Sequence, residues 1–176
     1  MAAQSAKASV RSSRAGRAAT FKPSEQVGAM APLGYFDPLG FCKDGEEETF
    51  RELRAAEIKH GRVAMMASIG LVGQELFQLP GVSEWGAGNG VMAATTLFGQ
   101  WGLIAIFIWS GNLELIWKED PNKAPGNFGD PLGLAQYDTD MRNREINNGR
   151  FAMICVTGII AAELATGKTA LQQFSF

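Results

Sequence analysis

The chain of 176 residues has few of the side chains on which most disulfide, zinc and redox sites depend. It contains two cysteines, Cys42 and Cys155, and a single histidine, His60. The two cysteines lie far apart and fit no CxxC pattern, so the sequence favours neither a disulfide framework nor a structural zinc site. It also shows no nucleophile–base pair and no convincing phosphate-binding loop, and we therefore do not predict an enzyme.

Charge of one sign is missing from the start of the chain. Residues 1–22 contain no acidic residue but five basic ones, among many Ala and Ser residues. That composition is typical of an organelle transit segment or of a disordered basic tail, and we assign it to residues 1–30, ahead of a single domain over residues 31–176. Beyond residue 22 the chain carries 11 basic and 18 acidic residues, a net charge of −7, which argues against a nucleic-acid partner.

Three apolar segments follow the basic tail, and the longest is uncharged. Residues 91–110, VMAATTLFGQWGLIAIFIWS, would cross about 30 Å of hydrocarbon as a helix, unless they form a wholly buried core helix. Residues 63–77 and 151–167 are shorter, and each includes an acidic residue. Lys and Arg are absent between Val63 and Trp117 but present in the tail and in the second connection, so the positive-inside rule places these two on one side. The first connection and the C-terminus then lie on the other side, which requires an odd number of spans, and we predict three.

The first helix is predicted to start well before its apolar part. Asp44 and Glu46–Glu48 suit the positive end of a helix dipole. If the helix continues to Phe77, it exceeds 30 residues and about 45 Å. Such a helix projects beyond a membrane or lies tilted in it.

The sequence repeats itself with a period of 88 residues. EIKHGRVAM (57–65) and EINNGRFAM (145–153) share Glu, Ile, Gly, Arg, Ala and Met at the same offsets, and each follows a similar loop, YFDPLGF (35–41) or FGDPLGL (128–134). The middle apolar segment has no such counterpart. The repeat therefore predicts two related helices packed about a pseudo-twofold axis, with an unrelated helix between them in sequence.

Helical spacing predicts how the charges of the repeat are compensated. Arg62 lies about 140° around the helix from Glu57, so it points away from its own glutamate toward another helix. Because a buried charge is costly without a partner, we predict reciprocal ion pairs between the helices, Glu57 with Arg150 and Glu145 with Arg62. The two helices can cross closely where the repeat carries its glycines, Gly61 and Gly149.

These pairs leave Lewis bases on the outward faces of apolar helices. They are one carboxylate oxygen on each glutamate, the imidazole of His60 and the amide oxygen of Asn148. Glu57 and His60, like Glu145 and Asn148, are three residues apart and face the same way. An apolar ligand whose metal needs one axial base, such as a magnesium chlorin, satisfies all four. Two other interpretations stay open: a pigment-free membrane bundle held by Glu–Arg pairs, and a di-iron carboxylate enzyme, which would need a second ExxH where this chain has ExxN.

The two motifs, ExxHGRxAM and ExxNGRxAM, each behind a DPLG loop, resemble the paired signatures of the light-harvesting chlorophyll-binding protein superfamily. The resemblance covers about residues 32–172. It implies an all-α membrane protein with three thylakoid-spanning helices, of which the first and third cross with pseudo-twofold symmetry. It further implies that magnesium enters only through chlorophyll, with four ligands and two arginines that complete the ion pairs: Glu57, His60, Glu145 and Asn148, and Arg62 and Arg150.

The resemblance also nominates pigment contacts outside the repeated motif. In SGNLE (110–114) of the middle helix, Glu114 matches a family ligand, and Gln100 is a further candidate. Where the family carries a glutamine ligand in the third helix, this chain has Ala162 followed by Glu163, so Glu163 or a water replaces the glutamine, or that chlorophyll is lost. The DPLG loops are expected to cap two carotenoids through six residues: Asp37, Pro38, Leu39, Asp130, Pro131 and Leu132.

The function implied by the resemblance is physical rather than enzymatic. The protein is expected to bind chlorophyll a, an accessory chlorophyll and carotenoids, and to pass excitation energy to photosystem I or II. Compact loops such as QLPGVSEWGAGNG (78–90) resemble those of the algal chlorophyll a/c, fucoxanthin/peridinin-type or red-lineage antennae, so we expect chlorophyll c rather than b. A photoprotective, energy-dissipating member of the same family is the alternative. The expected partners are a photosystem core, other antenna subunits and thylakoid lipids, in the plastid thylakoid membrane, with the N-terminus stromal and the C-terminus lumenal.

Overall fold

The described part of the chain is all-α, as the sequence predicts. In the computed structural model, residues 21–77, 90–116, 123–127 and 137–173 are described. They form three α-helices, α1 (Glu47–Leu76), α2 (Leu97–Ile116) and α3 (Thr139–Thr166), and two 3₁₀ helices, Pro23–Glu25 and Gly90–Thr95. Apart from one isolated β-bridge, no strand occurs among these residues.

Helix α1 starts where its acidic residues predict and is close to the expected length. Glu47 and Glu48 occupy its first turn, where the helix dipole favours negative charge. The helix continues for 30 residues to Leu76, one residue short of the predicted end, and is about 45 Å long. Its charged first half and its apolar second half therefore form one continuous helix.

Helix α2 begins six residues later than the apolar run that predicts it. Thr96 precedes the helix, and its hydroxyl oxygen accepts a hydrogen bond from the backbone N–H of Gly99 at 3.1 Å, the geometry of an N-cap. Residues 91–95 belong instead to the 3₁₀ helix Gly90–Thr95, and α2 continues to Ile116. The apolar run, residues 91–110, marks neither end of the helix: the cap at Thr96 sets its start, and the helix continues beyond the apolar run through the polar residues Asn112 and Glu114.

Helix α3 is the one described helix that is long and apolar enough to cross a membrane by length and composition. Its most apolar 18 residues have a mean hydropathy of 1.4, and only 17% of them are buried within the protein. From the sequence, the middle segment, residues 91–110, is instead the clearest candidate for a membrane span. The observed α2, however, includes Asn112 and Glu114, which lower its mean hydropathy.

The side chains of α2 are exposed along most of the helix. Every residue from 101 to 110 is exposed, and Trp101, Phe107 and Trp109 are 64%, 76% and 70% exposed. An apolar surface of this extent is unfavourable in water. Helix α2 therefore requires apolar surroundings, such as lipid or a bound apolar ligand.

The chain divides into two compact units. The first contains the described residues 21–58 and 137–147, and the second contains residues 59–77, 90–116, 123–127 and 148–173. Helices α1 and α3 each begin in the first unit and end in the second. Each unit thus contains one part of both repeat helices.

In the first unit, residues 21–30 pack against α1 and α3, although they belong to the predicted basic segment 1–30. The rings of Phe21 and Phe50 lie 5.3 Å apart between centroids. The backbone N–H of Gly28 donates a hydrogen bond to Oδ1 of Asn143 at 2.8 Å. An aromatic contact and a backbone hydrogen bond therefore draw these residues into the fold, before residue 31 where the domain is predicted to start.

In the second unit, α1 and α3 approach each other backbone to backbone at Gly61 and Gly149. A Cβ atom on Gly61 would lie 3.0 Å from the Cα atom of Gly149, and a Cβ atom on Gly149 would lie 3.0 Å from the Cα atom of Gly61. Both glycines are buried. The predicted close approach of the two helices at the glycines of the repeat is confirmed, with the same distance measured from either glycine.

The repeat positions on either side of the glycines share their burial. Ile58 and Ile146 are 6% and 5% exposed, and Ala64 and Ala152 are 8% and 7% exposed. In each helix these residues lie three positions before and after the glycine, which places all of them on one face. The Ile, Gly and Ala residues that recur in the sequence are thus residues that each helix buries.

Gly61→Ala is expected to lower the melting temperature of the protein in detergent. The new methyl group meets the Gly149 backbone, and overpacking of this kind costs about 1–3 kcal/mol of unfolding free energy. The matched control is Gly70→Ala in the same helix, where a Cβ atom meets nothing within 4 Å and the higher helix propensity of alanine applies. Thermal denaturation followed by far-UV circular dichroism compares the two. Equal stability of the two variants would contradict the crossing.

Candidate functional site

Four predicted ligands occupy equivalent positions on the two repeat helices. His60 and Asn148, both in the second unit, are exposed, whereas Glu57 and Glu145, both in the first unit, are half-buried. The two members of each equivalent pair are therefore exposed to a similar degree. Each copy of the motif offers one carboxylate that is partly covered by protein and one imidazole or amide at the surface.

This donor set suits a magnesium ion that is carried by an apolar ligand. Carboxylate and amide oxygens are ligands of hard cations, and imidazole nitrogen also binds divalent metals. Within residues 21–77, 90–116, 123–127 and 137–173, no group of three or more His, Cys, Asp or Glu side chains could hold a metal ion. These described residues therefore do not form the multi-carboxylate cluster that a di-iron centre needs.

The two arginines of the repeat are half-buried in the second unit, and Arg62 fixes part of the second connection. Its Nη2 atom donates a hydrogen bond to the carbonyl oxygen of Gly126 at 2.9 Å. Gly126 is buried and has a φ angle of 76°, a left-handed conformation that glycine adopts readily. The reciprocal pairing of the glutamates and arginines of the repeat stays a prediction.

A third arginine, Arg54, holds Glu57 within the first unit. Its Nη1 atom lies 2.6 Å from Oε2 of Glu57, three residues along the same helix. The Arg54 side chain is 9% exposed and that of Glu57 is 27% exposed. The guanidinium also lies 5.0 Å from the centroid of the Phe50 ring, and it leaves no room for a side chain on Gly28. A buried cation is thus compensated by the carboxylate of a predicted ligand and by an aromatic face.

Arg54 is absent from the residues predicted from the sequence, although a signal for it is present. The repeat extends three residues upstream of the quoted motif, because Arg54 and Arg142 are also 88 residues apart. Arg142 lies over the ring of Tyr137, 5.1 Å from its centroid. An arginine three residues before a glutamate shares its helix face, so the spacing alone predicts that Arg54 reaches Glu57.

The first DPLG loop, residues 37–40, folds around the carboxylate of Asp37. Its Oδ1 and Oδ2 atoms accept hydrogen bonds from the backbone N–H groups of Phe41 at 3.1 Å and Cys42 at 3.0 Å. The hydroxyl of Tyr35 donates a further hydrogen bond to Oδ2 at 3.3 Å. The N–H of Cys42 is the largest cause that lowers the pKa of Asp37. Burial, with the nearby Cys42 and Asp37, raises the pKa of Tyr35 to about 12.

The tip of this loop presents apolar side chains to the outside. Pro38 is exposed, and Leu39 is 76% exposed. The network of Asp37 therefore holds a rigid turn whose apolar tip is available to a neighbouring apolar molecule. The second DPLG loop, with Asp130, Pro131 and Leu132, lies outside the described residues.

The two candidates on α2 are both exposed. Gln100 lies in the first turn of the helix. The Oε1 atom of Glu114 lies 3.2 Å from Nζ of Lys59 in α1, and the side chains of Glu114 and Lys59 are 64% and 46% exposed. An exposed pair of this kind contributes only about 0–1 kcal/mol to folding, so Lys59 does not commit Glu114 to a structural role.

Glu163, the candidate on α3, is buried, unlike His60 and Asn148. Only 3% of the surface of this residue is exposed. Its Oε1 atom accepts hydrogen bonds from the backbone N–H groups of Val91 at 2.6 Å and Met92 at 3.3 Å. The carboxylate is thus bound to protein backbone instead of being presented at the surface.

Arg54→Gln is expected to destabilise the protein by about 1–3 kcal/mol, because it leaves the half-buried Glu57 carboxylate without this cation. The matched control is Arg144→Gln. Arg144 pairs with Asp140 at 2.9 Å, but both side chains are about two-thirds exposed, and an exposed helix pair contributes about 0.3–0.5 kcal/mol. Thermal denaturation compares the two variants. A loss for Arg54→Gln no larger than that for Arg144→Gln would contradict the role of Arg54.

The loop at residues 37–42 is expected to loosen in acid. Its hydrogen bonds lower the pKa of Asp37 in the folded state. The ionised carboxylate therefore stabilises the loop above the unfolded-state pKa of about 3.9, and this stabilisation is lost as the pH falls through the lower folded-state pKa. At neutral pH, Asp37→Ala should reproduce the effect and speed amide hydrogen exchange in a peptide covering residues 37–42, whereas Asp44→Ala should not. Unchanged exchange in Asp37→Ala would contradict the role of the carboxylate.

Comparison with known proteins identifies the family of this chain. The family described as chlorophyll A-B binding protein matches residues 22–164. The chloroplastic fucoxanthin-chlorophyll a-c binding protein B of Macrocystis pyrifera is 36% identical over 160 residues, which cover 81% of this chain and 73% of that protein. The corresponding protein of Isochrysis galbana is 38% identical, with 78% and 75% covered, and that of Trieres chinensis is 32% identical, with 88% and 92% covered. The chain belongs to the chlorophyll a/b-binding protein family, and within it to the algal chlorophyll a/c branch.

Proposed function

We propose that this protein is a light-harvesting antenna that binds chlorophyll a, chlorophyll c and carotenoids, and that passes excitation energy to a photosystem. Membership of a pigment-binding family supports a non-enzymatic role. Relatives named as fucoxanthin-chlorophyll a-c binding proteins support the choice of chlorophyll c and of a fucoxanthin-type carotenoid. The observation that carries the proposal is the pair of equivalent motifs on α1 and α3, which cross at Gly61 and Gly149 and present matching donors on apolar helices.

The four repeat donors, Glu57, His60, Glu145 and Asn148, would each hold the magnesium of one chlorophyll. Bound chlorophyll supplies light absorption and excitation transfer. The helices supply the position of each donor, and the backbone contact at the crossing limits how far one helix can shift against the other. Exposure of His60 and Asn148 supports the proposal, because a large apolar ring can reach these donors only from outside the helix pair.

Charge compensation at the glutamates is part of the proposal. A carboxylate that ligates magnesium keeps a negative charge, which is costly in apolar surroundings. The repeat supports Arg150 as the cation for Glu57 and Arg62 as the cation for Glu145. Arg54 adds a second cation to Glu57. Neutral sets of this kind lower the cost of burying the ligands.

Further pigments would bind through α2 and the loops. Gln100 and Glu114 are proposed as additional chlorophyll ligands, and the exposure of both supports this role. Glu163 is the weakest candidate, since its carboxylate is buried and already accepts two backbone N–H groups. The two DPLG loops are proposed to cap carotenoids through the residues predicted from the sequence: Asp37, Pro38 and Leu39 in the first loop, and Asp130, Pro131 and Leu132 in the second.

The protein is proposed to span the thylakoid membrane three times, with its N-terminus stromal and its C-terminus lumenal. The apolar α3 supports one span, and the exposed apolar surface of α2 supports another. Relatives named as chloroplastic support the organelle, and the basic tail and second connection support the orientation. The partners would be a photosystem I or II core, other antenna subunits and thylakoid lipids.

Absorption and fluorescence-excitation spectra of the purified protein in mild detergent test the antenna role. The expected result is a red chlorophyll a band, with chlorophyll c and carotenoid bands in the excitation spectrum of chlorophyll a emission. A colourless protein that is folded and helical would overturn pigment binding. Bound pigments without chlorophyll c or carotenoid bands in the excitation spectrum would contradict energy transfer.

Glu57→Ala is expected to lower the stability and pigment content of the protein more than His60→Ala does. The first variant loses a ligand and takes a carboxylate away from the arginines around it, a loss of about 3–5 kcal/mol if the pair is buried. His60→Ala should lose one chlorophyll per chain and still fold, and Asn148→Ala, at the equivalent position, serves as its matched variant. Pigment content per polypeptide and thermal denaturation measure both effects. Equal accumulation and equal pigment content of Glu57→Ala and His60→Ala would contradict the proposed charge compensation.

A further inference from the structure

The 88-residue repeat contains a second pair of equivalent glutamates. Glu75, in GQEL (73–76) of α1, and Glu163, in AAEL (161–164) of α3, are separated by the same interval as Glu57 and Glu145. Glu75 is half-buried and Glu163 is buried. Both belong to the second unit and lie in the last turns of their helices. Their shared position in the repeat suggests a shared role.

Glu163 binds the first described segment that follows α1. Its Oε1 atom accepts the backbone N–H groups of Val91 and Met92, at the start of the 3₁₀ helix Gly90–Thr95. Gly90 has a φ angle of 68°, and a Cβ atom there would collide with the Glu163 carboxylate. The chain at Gly90 is therefore shaped to receive this side chain.

The burial of Glu163 indicates that these hydrogen bonds contribute to the stability of the fold. Its second oxygen, Oε2, is buried and has no hydrogen-bond partner among the described residues. Burying a polar atom in this way is unfavourable, and so the two bonds to Oε1 must offset that cost. Without these two bonds the whole carboxyl group would be buried and unpartnered, which is costlier still.

Glu75 binds the segment that follows α3. Its Oε2 atom accepts the hydroxyl group of Thr169 at 2.6 Å. The backbone N–H of Leu171 lies 3.3 Å from Oε1 and 3.2 Å from Oε2 of the same carboxylate. The arrangement repeats that of Glu163, since a carboxylate near the end of one repeat helix holds backbone of the segment after the other.

We propose that Glu75 and Glu163 form a reciprocal clamp, in which each repeat helix holds the segment that follows its counterpart. The clamp closes the C-terminal end of the helix crossing, beyond the contact between Gly61 and Gly149. In this role Glu163 is a positioning residue. The inference rests on contacts between protein atoms and does not depend on the proposed pigments.

The clamp on the 3₁₀ helix also positions α2. Gly90–Thr95 packs against α2, and Thr96, which directly follows this 3₁₀ helix, caps α2. Glu163 therefore fixes the point at which the middle helix starts relative to α3. Gln100, the proposed ligand in the first turn of α2, depends on this contact for its place.

Hydrogen exchange of the full-length, pigmented protein in detergent tests the clamp. Glu75→Ala is expected to speed amide exchange in residues 169–173 by about tenfold and to leave residues 90–95 unchanged, because it removes the acceptor of the hydrogen bonds that hold only the first segment. Glu163→Ala is expected to give the opposite pattern. Thr169→Val, which removes only the hydroxyl donor, should affect residues 169–173 alone. Glu52→Gln, which alters an exposed carboxylate elsewhere on α1, is the matched control and should change neither segment.

Three outcomes would overturn the proposal. The first is equal acceleration of exchange in both segments in both variants, which indicates general destabilisation. The second is acceleration only in the segment that follows the mutated helix itself. The third is no change in either segment. If an alanine variant does not accumulate, Glu75→Gln and Glu163→Gln replace it. The amide keeps one oxygen acceptor and replaces the other oxygen with an NH₂ group. Each glutamine variant is therefore expected to speed amide exchange in the same segment as its alanine counterpart, but by less. Pigment content is not the readout, so a failure of the clamp is distinguishable from a failure of the antenna role.

Discussion

The contact between the Gly61 and Gly149 backbones is the constraint on which the rest of the structure depends. Helices that approach this closely must each turn one fixed face inward, and the Ile, Gly and Ala residues of the repeat occupy that face. His60 and Asn148 directly precede the two glycines and lie about 100° around each helix, where they are exposed. The sequence repeat thereby gives each of the two helices one exposed donor at an equivalent position.

Charged side chains support this arrangement because they too recur in equivalent pairs. Near the start of α1, Arg54 neutralises the carboxylate of Glu57 in a partly buried setting. Near the ends of α1 and α3, Glu75 and Glu163 bind the backbone of other segments. Pigments that exchange excitation energy must keep fixed distances and orientations, and ligands on rigid, well-supported helices meet that requirement.

Features encoded in local patterns are predictable from the sequence, and features that depend on single hydrogen bonds are not. The acidic residues before α1 predict its start, and the repeat predicts the glycine crossing. Hydropathy misplaces α2, because the cap at Thr96 sets its first turn. Glu163 resembles a pigment ligand in sequence, yet it binds the 3₁₀ helix Gly90–Thr95, a tertiary contact that no local pattern encodes. Arg54 is different, since its spacing from Glu57 already predicts the contact.

A cryo-electron microscopy map of the purified, pigmented protein tests most directly whether the glycine crossing organises the pigments. We predict that the backbones of Gly61 and Gly149 are in contact, and that a chlorin ring lies against each repeat helix. The central metal of each ring should lie about 2.0–2.1 Å from a donor atom of the motif, at a distance typical of magnesium coordination. A map in which lipid or pigment separates the two glycines, or in which no chlorin lies against His60 and Asn148, would contradict this prediction.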